Sequence, residues 1–153
     1  AEGYQQRARI YRDQLLDLDQ WVRERVAEIP AGQRVLVTSH DAFFYFGNAY
    51  GFEVRGLQGI STNTESGLKD RADLVEFIKS RGIKMIFPES SVNQKGIKAV
   101  AEEAGVEVSE HELFSDAMGV PGDKVTLHGE TYDRGTFVGM IKHNVNTIVD
   151  GLK

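Results

Sequence analysis

The chain has 153 residues, 41% of them hydrophobic and 27% charged, with a net charge of −5. That length suits a single domain with one sizeable core, and the acidic balance lacks the electrostatic footprint of a nucleic-acid partner. No apolar run approaches the roughly 20 residues needed to cross a bilayer, and a chain without cysteine has neither disulfides nor thiolate metal ligands.

The opening Ala1-Glu2-Gly3, which lacks Met, reads as the start of a processed or excised fragment. Tyr4, Ala8, Tyr11, Leu15, Leu18, Val22, Val26 and Ile29 then recur in steps of three and four. That spacing predicts one long amphipathic helix, stopped at Pro30-Ala31-Gly32. About 26 helical residues rise roughly 39 Å, more than a small α/β layer requires. The helix is either a cover with an overhanging end or a spine reaching toward a second lobe.

Beyond it, strands and helices alternate. Val35-Leu36-Val37-Thr38 reads as a buried strand, residues 42–50 as a short helix with aromatic anchors, and Glu53-Val54-Arg55-Gly56-Leu57 as a second strand. A polar loop, 58–67, follows and contains Ser61-Thr62-Asn63-Thr64; it leaves the second strand on the edge where the other strands end. A helix over 70–80 closes at Arg81-Gly82, with glycine free to take a left-handed cap. Lys84-Met85-Ile86-Phe87 is the third strand, 94–104 another helix and Val106-Glu107-Val108 the fourth strand. A loop holding Gly119, Pro121 and Gly122 leads to a final helix over 136–152. Its apolar stripe is Phe137, Met140, Ile141, Val145, Ile148 and Leu152. Such alternation predicts an α/β fold: a four-stranded parallel sheet flanked by helices and preceded by the long helix.

Three polar clusters stand where these strands run out: Ser39-His40-Asp41, Glu89-Ser90-Ser91 and Ser115-Asp116. Ligands of open α/β sheets bind just beyond the carboxyl ends of the strands. A histidine and carboxylates delivered there can converge on a divalent metal, for which imidazole nitrogen and carboxylate oxygen are usual ligands. His40 reads as a ligand or as a hydrogen-bonded structural residue. Asp116 reads as a metal carboxylate or as a turn residue bonding its own backbone. Glu89 could ligate, orient a ligand or cap a helix with Ser90 and Ser91. Asp41 is expected to cap the helix that follows it. Of the other histidines, His143 is expected on the solvated side of the last helix and His128 in an exposed loop. His111 stays an outside candidate at a strand exit. No HExxH, P-loop, GxGxxG or GxSxG pattern occurs.

The stretch Arg34-Val35-Leu36-Val37-Thr38-Ser39-His40-Asp41-Ala42-Phe43-Phe44-Tyr45-Phe46 closely resembles the metal-specific solute-binding proteins of bacterial ABC importers for zinc, manganese or iron. Tyr50-Gly51-Phe52-Glu53-Val54, Gly56-Leu57-Gln58-Gly59-Ile60-Ser61-Thr62, Phe87-Pro88-Glu89-Ser90-Ser91, Leu113-Phe114-Ser115-Asp116-Ala117-Met118-Gly119 and Thr136-Phe137-Val138-Gly139-Met140-Ile141-Lys142-His143-Asn144 resemble the same family in order.

The resemblance implies two α/β lobes joined by a long helix, with the metal in the cleft between them and usually two side chains from each lobe. It assigns residues 1–30 to the linking helix and 31–153 to the carboxyl-terminal lobe, so that the amino-terminal lobe and its two ligands lie outside this sequence. In this lobe the implied ligands are His40 and Asp116, with Glu89, Ser39, Ser90 and Ser115 lining the cleft or supporting the ligands. The cargo would be Zn2+, Mn2+ or Fe2+, held weakly by this chain alone. The implied partners are the amino-terminal lobe and an ABC permease, with self-association through the exposed cleft face as a further expectation. The implied place is the periplasm or cell surface, and the resemblance allows a lipid anchor on the full-length protein. Ligation requires a neutral histidine and an ionised carboxylate, so capture is expected to weaken on acidification. The competing readings are a metal-dependent hydrolase using His40, Glu89 and Asp116 around an activated water, and a metal-free α/β interaction module.

Overall fold

The structure, a computed structural model, describes residues 2–58 and 67–153. Most of the predicted loop 58–67 therefore lies outside the described residues. Five helices, α1 (Glu2–Val26), α2 (Phe44–Tyr50), α3 (Leu68–Arg81), α4 (Lys95–Ala104) and α5 (Phe137–Leu152), alternate with strands β1 (Val35–His40), β2 (Glu53–Gln58), β3 (Met85–Ile86) and β4 (Glu107–Val108). The hairpin β5 (Lys124–Leu127) and β6 (Glu130–Asp133) precedes α5. Strand β1 pairs in parallel with β2, and β3 with β4. A bridge between Thr38 and Phe87 joins the two pairs, giving the order β2-β1-β3-β4. The α/β class and the parallel strands match the expectation from sequence.

The sheet separates two apolar layers. Leu36 and Phe87 pack with Leu18, Val22, Val26 and Ile29 of the first segment and with Val145, Ile148 and Val149 of α5. Val37 and Ile86 point the other way, onto Leu74, Val75 and Ile78 of α3 and Ile97, Val100 and Ala101 of α4. Successive side chains of a strand alternate between faces. His40 therefore shares the α1/α5 face with Leu36, while Ser39 shares the α3/α4 face with Val37. At Gly56, paired with Thr38, an added Cβ would lie 2.6 Å from the carbonyl carbon of His40 and 2.5 Å from the Asp41 nitrogen. A side chain there would push the end of β1 away.

Three expectations are corrected. The long helix forms, but its predicted stripe is buried only from Leu18 onward, while Tyr4 and Tyr11 are 75% and 47% exposed. The sheet is too short to cover its amino-terminal half. The loop expected after β4 contains the β5–β6 hairpin, whose turn residues His128 and Gly129 both take positive φ, 52° and 77°. That is the backbone of a two-residue turn matched to strand twist. The hairpin lies against α5, so His143 through Val149 are buried without interruption, where a single stripe was expected. His143 is consequently in the core and not on the solvated side of the helix.

Candidate metal centre

The backbone first brings the three strand ends together. Phe87 donates its N–H to the Val37 carbonyl at 2.9 Å, which aligns β3 beside β1. The chain continues through Pro88 to Glu89, which forms a parallel bridge with Leu113. Ser90 N–H reaches the Leu113 carbonyl at 3.0 Å, and Leu113 N–H the Pro88 carbonyl at 2.9 Å. His40, Glu89 and the segment leading from Leu113 to Asp116 thus stand side by side at one edge. Glu89 follows Phe87 by two residues and so shares the face of His40.

His40 is held from behind. One oxygen of Glu89, Oε2, accepts the backbone N–H of His40 at 2.7 Å. The other, Oε1, lies 2.8 Å from Nδ1, without good hydrogen-bond alignment. A carboxylate at that distance favours the tautomer with the proton on Nδ1, which leaves the Nε2 lone pair for another partner. Nε2 faces Asp116 Oδ1 at 3.4 Å. The site is graded in exposure: Glu89 is fully buried, the His40 side chain is 2% exposed and that of Asp116 50%. Among the described residues no group of three or more His, Asp or Glu side chains could hold an ion; His40 and Asp116 are a pair.

The serines divide. Ser115 and Ser91 meet at 3.2 Å through their hydroxyls, one residue from Asp116 and two from Glu89 respectively. Ser90 takes part through its backbone and is exposed. Ser39 projects to the opposite face, where it lines a cavity with Leu57, Gln58 and Ile97. Asp41 does not cap α2, whose N-cap is Phe43 without a side-chain hydrogen bond; Asp41 instead bonds through its N–H to the Gln58 carbonyl at 3.1 Å. His111 and His128 are exposed, the latter 2.8 Å from Asp150. Apolar side chains in the segments that follow His40 and Asp116 are also open: Phe44 is 57%, Tyr45 85% and Val120 74% exposed.

Two residues missed at the level of sequence support this edge from α5. His143 Nε2 donates to the Glu112 carbonyl at 2.9 Å, since a carbonyl can only accept. Asn144 donates to the Phe114 carbonyl at 2.7 Å and accepts the Phe114 N–H at 2.9 Å. A signal was present for Asn144, which stands three residues after Ile141 and four before Ile148, inside the apolar stripe. Burial holds the His143 imidazole below the ordinary histidine range. The unfolded chain therefore takes up the proton first, near pH 6.5. Stability from this group is complete above that value and is lost as pH falls toward the depressed folded value. Urea unfolding at pH 7.5, 6.5 and 5.5 is expected to show declining stability, with a flatter profile for His143→Gln. An equal slope in both proteins would refute the assignment.

The fold matches solved structures closely. The periplasmic zinc binding protein TroA from Treponema pallidum superposes with a TM-score of 0.88 at 44% identity, over 97% of this chain and 52% of that chain. A further TroA structure gives 0.90 at 38% identity, over 100% and 55%. An α/β lobe of this form defines the class of metal-binding periplasmic solute-binding proteins. Within that class, the chain belongs to the ZnuA family, zinc-uptake complex component A periplasmic, whose model matches residues 1–151. The manganese-binding lipoprotein MntA of Bacillus subtilis is 45% identical over all of this chain and 48% of its own length. The iron-binding protein YfeA of Yersinia pestis is 32% identical over 99% of this chain and 45% of its own. The chain spans about half the length of the curated relatives it matches.

Proposed function

We propose that this chain is the carboxyl-terminal lobe of a receptor that captures a divalent metal ion outside the cytoplasmic membrane and delivers it to an ABC import permease. His40 Nε2 and Asp116 supply two of the ligands, and Glu89 orients His40. One observation carries the reading. Two donors each about 2.1 Å from a tetrahedral ion stand about 3.4 Å apart, which is the separation of His40 Nε2 and Asp116 Oδ1, 3.4 Å. The names of the relatives, which bind zinc, manganese or iron, support a metal as cargo. Those names describe binding proteins, in keeping with a site that binds and releases without chemistry.

Imidazole and carboxylate without thiolate suit borderline and hard cations, so Zn2+, Mn2+ and Fe2+ all remain within the donor set. The other coordination positions belong to a second lobe, with α1 as the helix that links the two. The open Phe44, Tyr45 and Val120 fit a face that this second lobe covers. Alone, the chain binds an ion weakly, with water in the remaining positions.

Zn2+ titration of the chain, followed by amide chemical shifts of residues 38–41 and 115–117, tests the site. Saturable weak binding is expected, and His40→Ala and Asp116→Ala should each weaken it about tenfold or more. Undiminished binding in either folded variant would refute the donor pair.

A further inference from the structure

Asp116 lies in a segment without regular secondary structure, three residues beyond the Glu89–Leu113 bridge. Its distance from His40 depends on what fixes the intervening backbone. That fixing comes from α5. The Asn144 amide closes a two-bond ring on Phe114, donating to its carbonyl at 2.7 Å and accepting its N–H at 2.9 Å. Asn144 is itself 4% exposed. Both backbone groups of Phe114 are therefore committed to one side chain on a rigid element. The Phe114 ring is held as well, with its centroid 5.4 Å from that of His143 and 5.7 Å from the Arg134 guanidinium carbon. Arg134 in turn pairs with Asp123 at 2.7 Å and accepts the Gly119 N–H at 2.9 Å, beyond Asp116. Asp116 thus sits on a short arc whose two feet, Phe114 and Gly119, are both pinned.

We propose that Asn144 is a positioning residue for metal capture: by fixing both backbone groups of Phe114 it sets the Asp116 carboxylate at ligand distance from His40. This rests on the reading of His40 and Asp116 as the donor pair. An asparagine suits the task better than other polar side chains. A strand partner offers its backbone N–H and C=O together, and only a primary amide presents a donor and an acceptor side by side to meet both. Asn144→Asp keeps the acceptor but turns an oxygen toward the Phe114 carbonyl. Asn144→Ala loses both bonds.

Asn146 provides the matched control. It lies two residues along the same helix and is 2% exposed. Its amide accepts from Arg25 Nε at 3.0 Å and donates to the Tyr132 hydroxyl at 3.3 Å, away from the Asp116 arc. Asn146→Ala should therefore lower stability without moving the carboxylate.

The experiment is the Zn2+ titration by amide shifts, with urea unfolding alongside, on the wild-type chain and on Asn144→Ala, Asn144→Asp, Asn146→Ala, Asp116→Ala and the Asn144→Ala/Asp116→Ala double variant. Asn144→Ala is expected to weaken Zn2+ binding about tenfold or more, and Asn146→Ala less than about twofold at a similar stability loss. In the Asp116→Ala background, Asn144→Ala should add no further loss of affinity, since a residue acting through another is silent once that other is gone. Should Asn144→Ala fail to fold, Asn144→Asp carries the same expectation. Additive losses, or folded Asn144 variants that bind Zn2+ as the wild type does, would overturn the proposal while leaving the donor pair intact. An unaffected Asp116→Ala would instead sink the donor pair, and the role of Asn144 with it.

Discussion

Replacing Glu89 with alanine is expected to lower stability by about 2–5 kcal/mol and to weaken Zn2+ binding ten- to hundred-fold. The carboxylate is fully buried and faces two donors at once, the His40 backbone N–H at 2.7 Å and Nδ1 at 2.8 Å. Alanine leaves both buried groups without the carboxylate they face, and each buried donor without a partner costs about 1–3 kcal/mol. It also frees the imidazole to change tautomer or to rotate, which turns the Nε2 lone pair away from Asp116. Glu89→Gln should fall between. Its carbonyl oxygen satisfies one donor, but its NH2 group then faces the other, donor against donor. Urea unfolding reads the stability and the Zn2+ shift titration the affinity. Wild-type behaviour of Glu89→Ala in both would show that the carboxylate neither supports nor orients His40.

Gly139→Ala should damage the fold more than the site. A Cβ built at Gly139 lies 1.9 Å from the Asp133 carbonyl oxygen and 3.0 Å from Thr136 Oγ1. The first turn of α5 is tied there, with Thr136 Oγ1 accepting the Gly139 N–H at 3.0 Å and donating to the Asp133 carbonyl at 2.8 Å. Backbone cannot rotate aside as a side chain can, so α5 must move off β6 or the cap must break. Overpacking costs typically about 1–3 kcal/mol and sometimes more; a contact this short against backbone belongs at the upper end, at about 3 kcal/mol or above. The midpoint of urea unfolding measures it. A midpoint equal to the wild type would mean that β6 and α5 are less closely apposed than the structure describes.

Much of this was legible in the residues. Apolar runs such as Val35-Leu36-Val37 and the spacing along α4 and α5 carry their own period, so the parallel α/β pattern followed. His40 and Glu89 were placed near strand ends by the same runs, although β1 extends through His40 where the sequence ended it at Thr38, and Asp116 follows an isolated bridge at Leu113 and not a strand. What stayed hidden depends on contacts distant in sequence. The amino-terminal half of α1 has an apolar period yet no sheet beneath it. The β5–β6 hairpin turns on His128-Gly129, where only one residue is a strong turn signal. Its packing buries the far side of α5, which no period within α5 reveals. Residue type alone did not separate Glu89 from Asp116; the family resemblance was what cast Glu89 in support. Only the fold puts one on Nδ1 behind the ring and the other in front of Nε2.

The alternation of β1 carries a consequence for variation in this chain. Leu36 and His40 share one face because an even number of residues separates them, and Ser39 is turned to the other. Inserting one residue between Thr38 and Ser39 would present the Ser39 hydroxyl where the imidazole now stands, with Leu36 and Val37 still in their apolar layers. A one-codon insertion there is therefore expected to remove the imidazole from the proposed site in a protein that still looks native by circular dichroism.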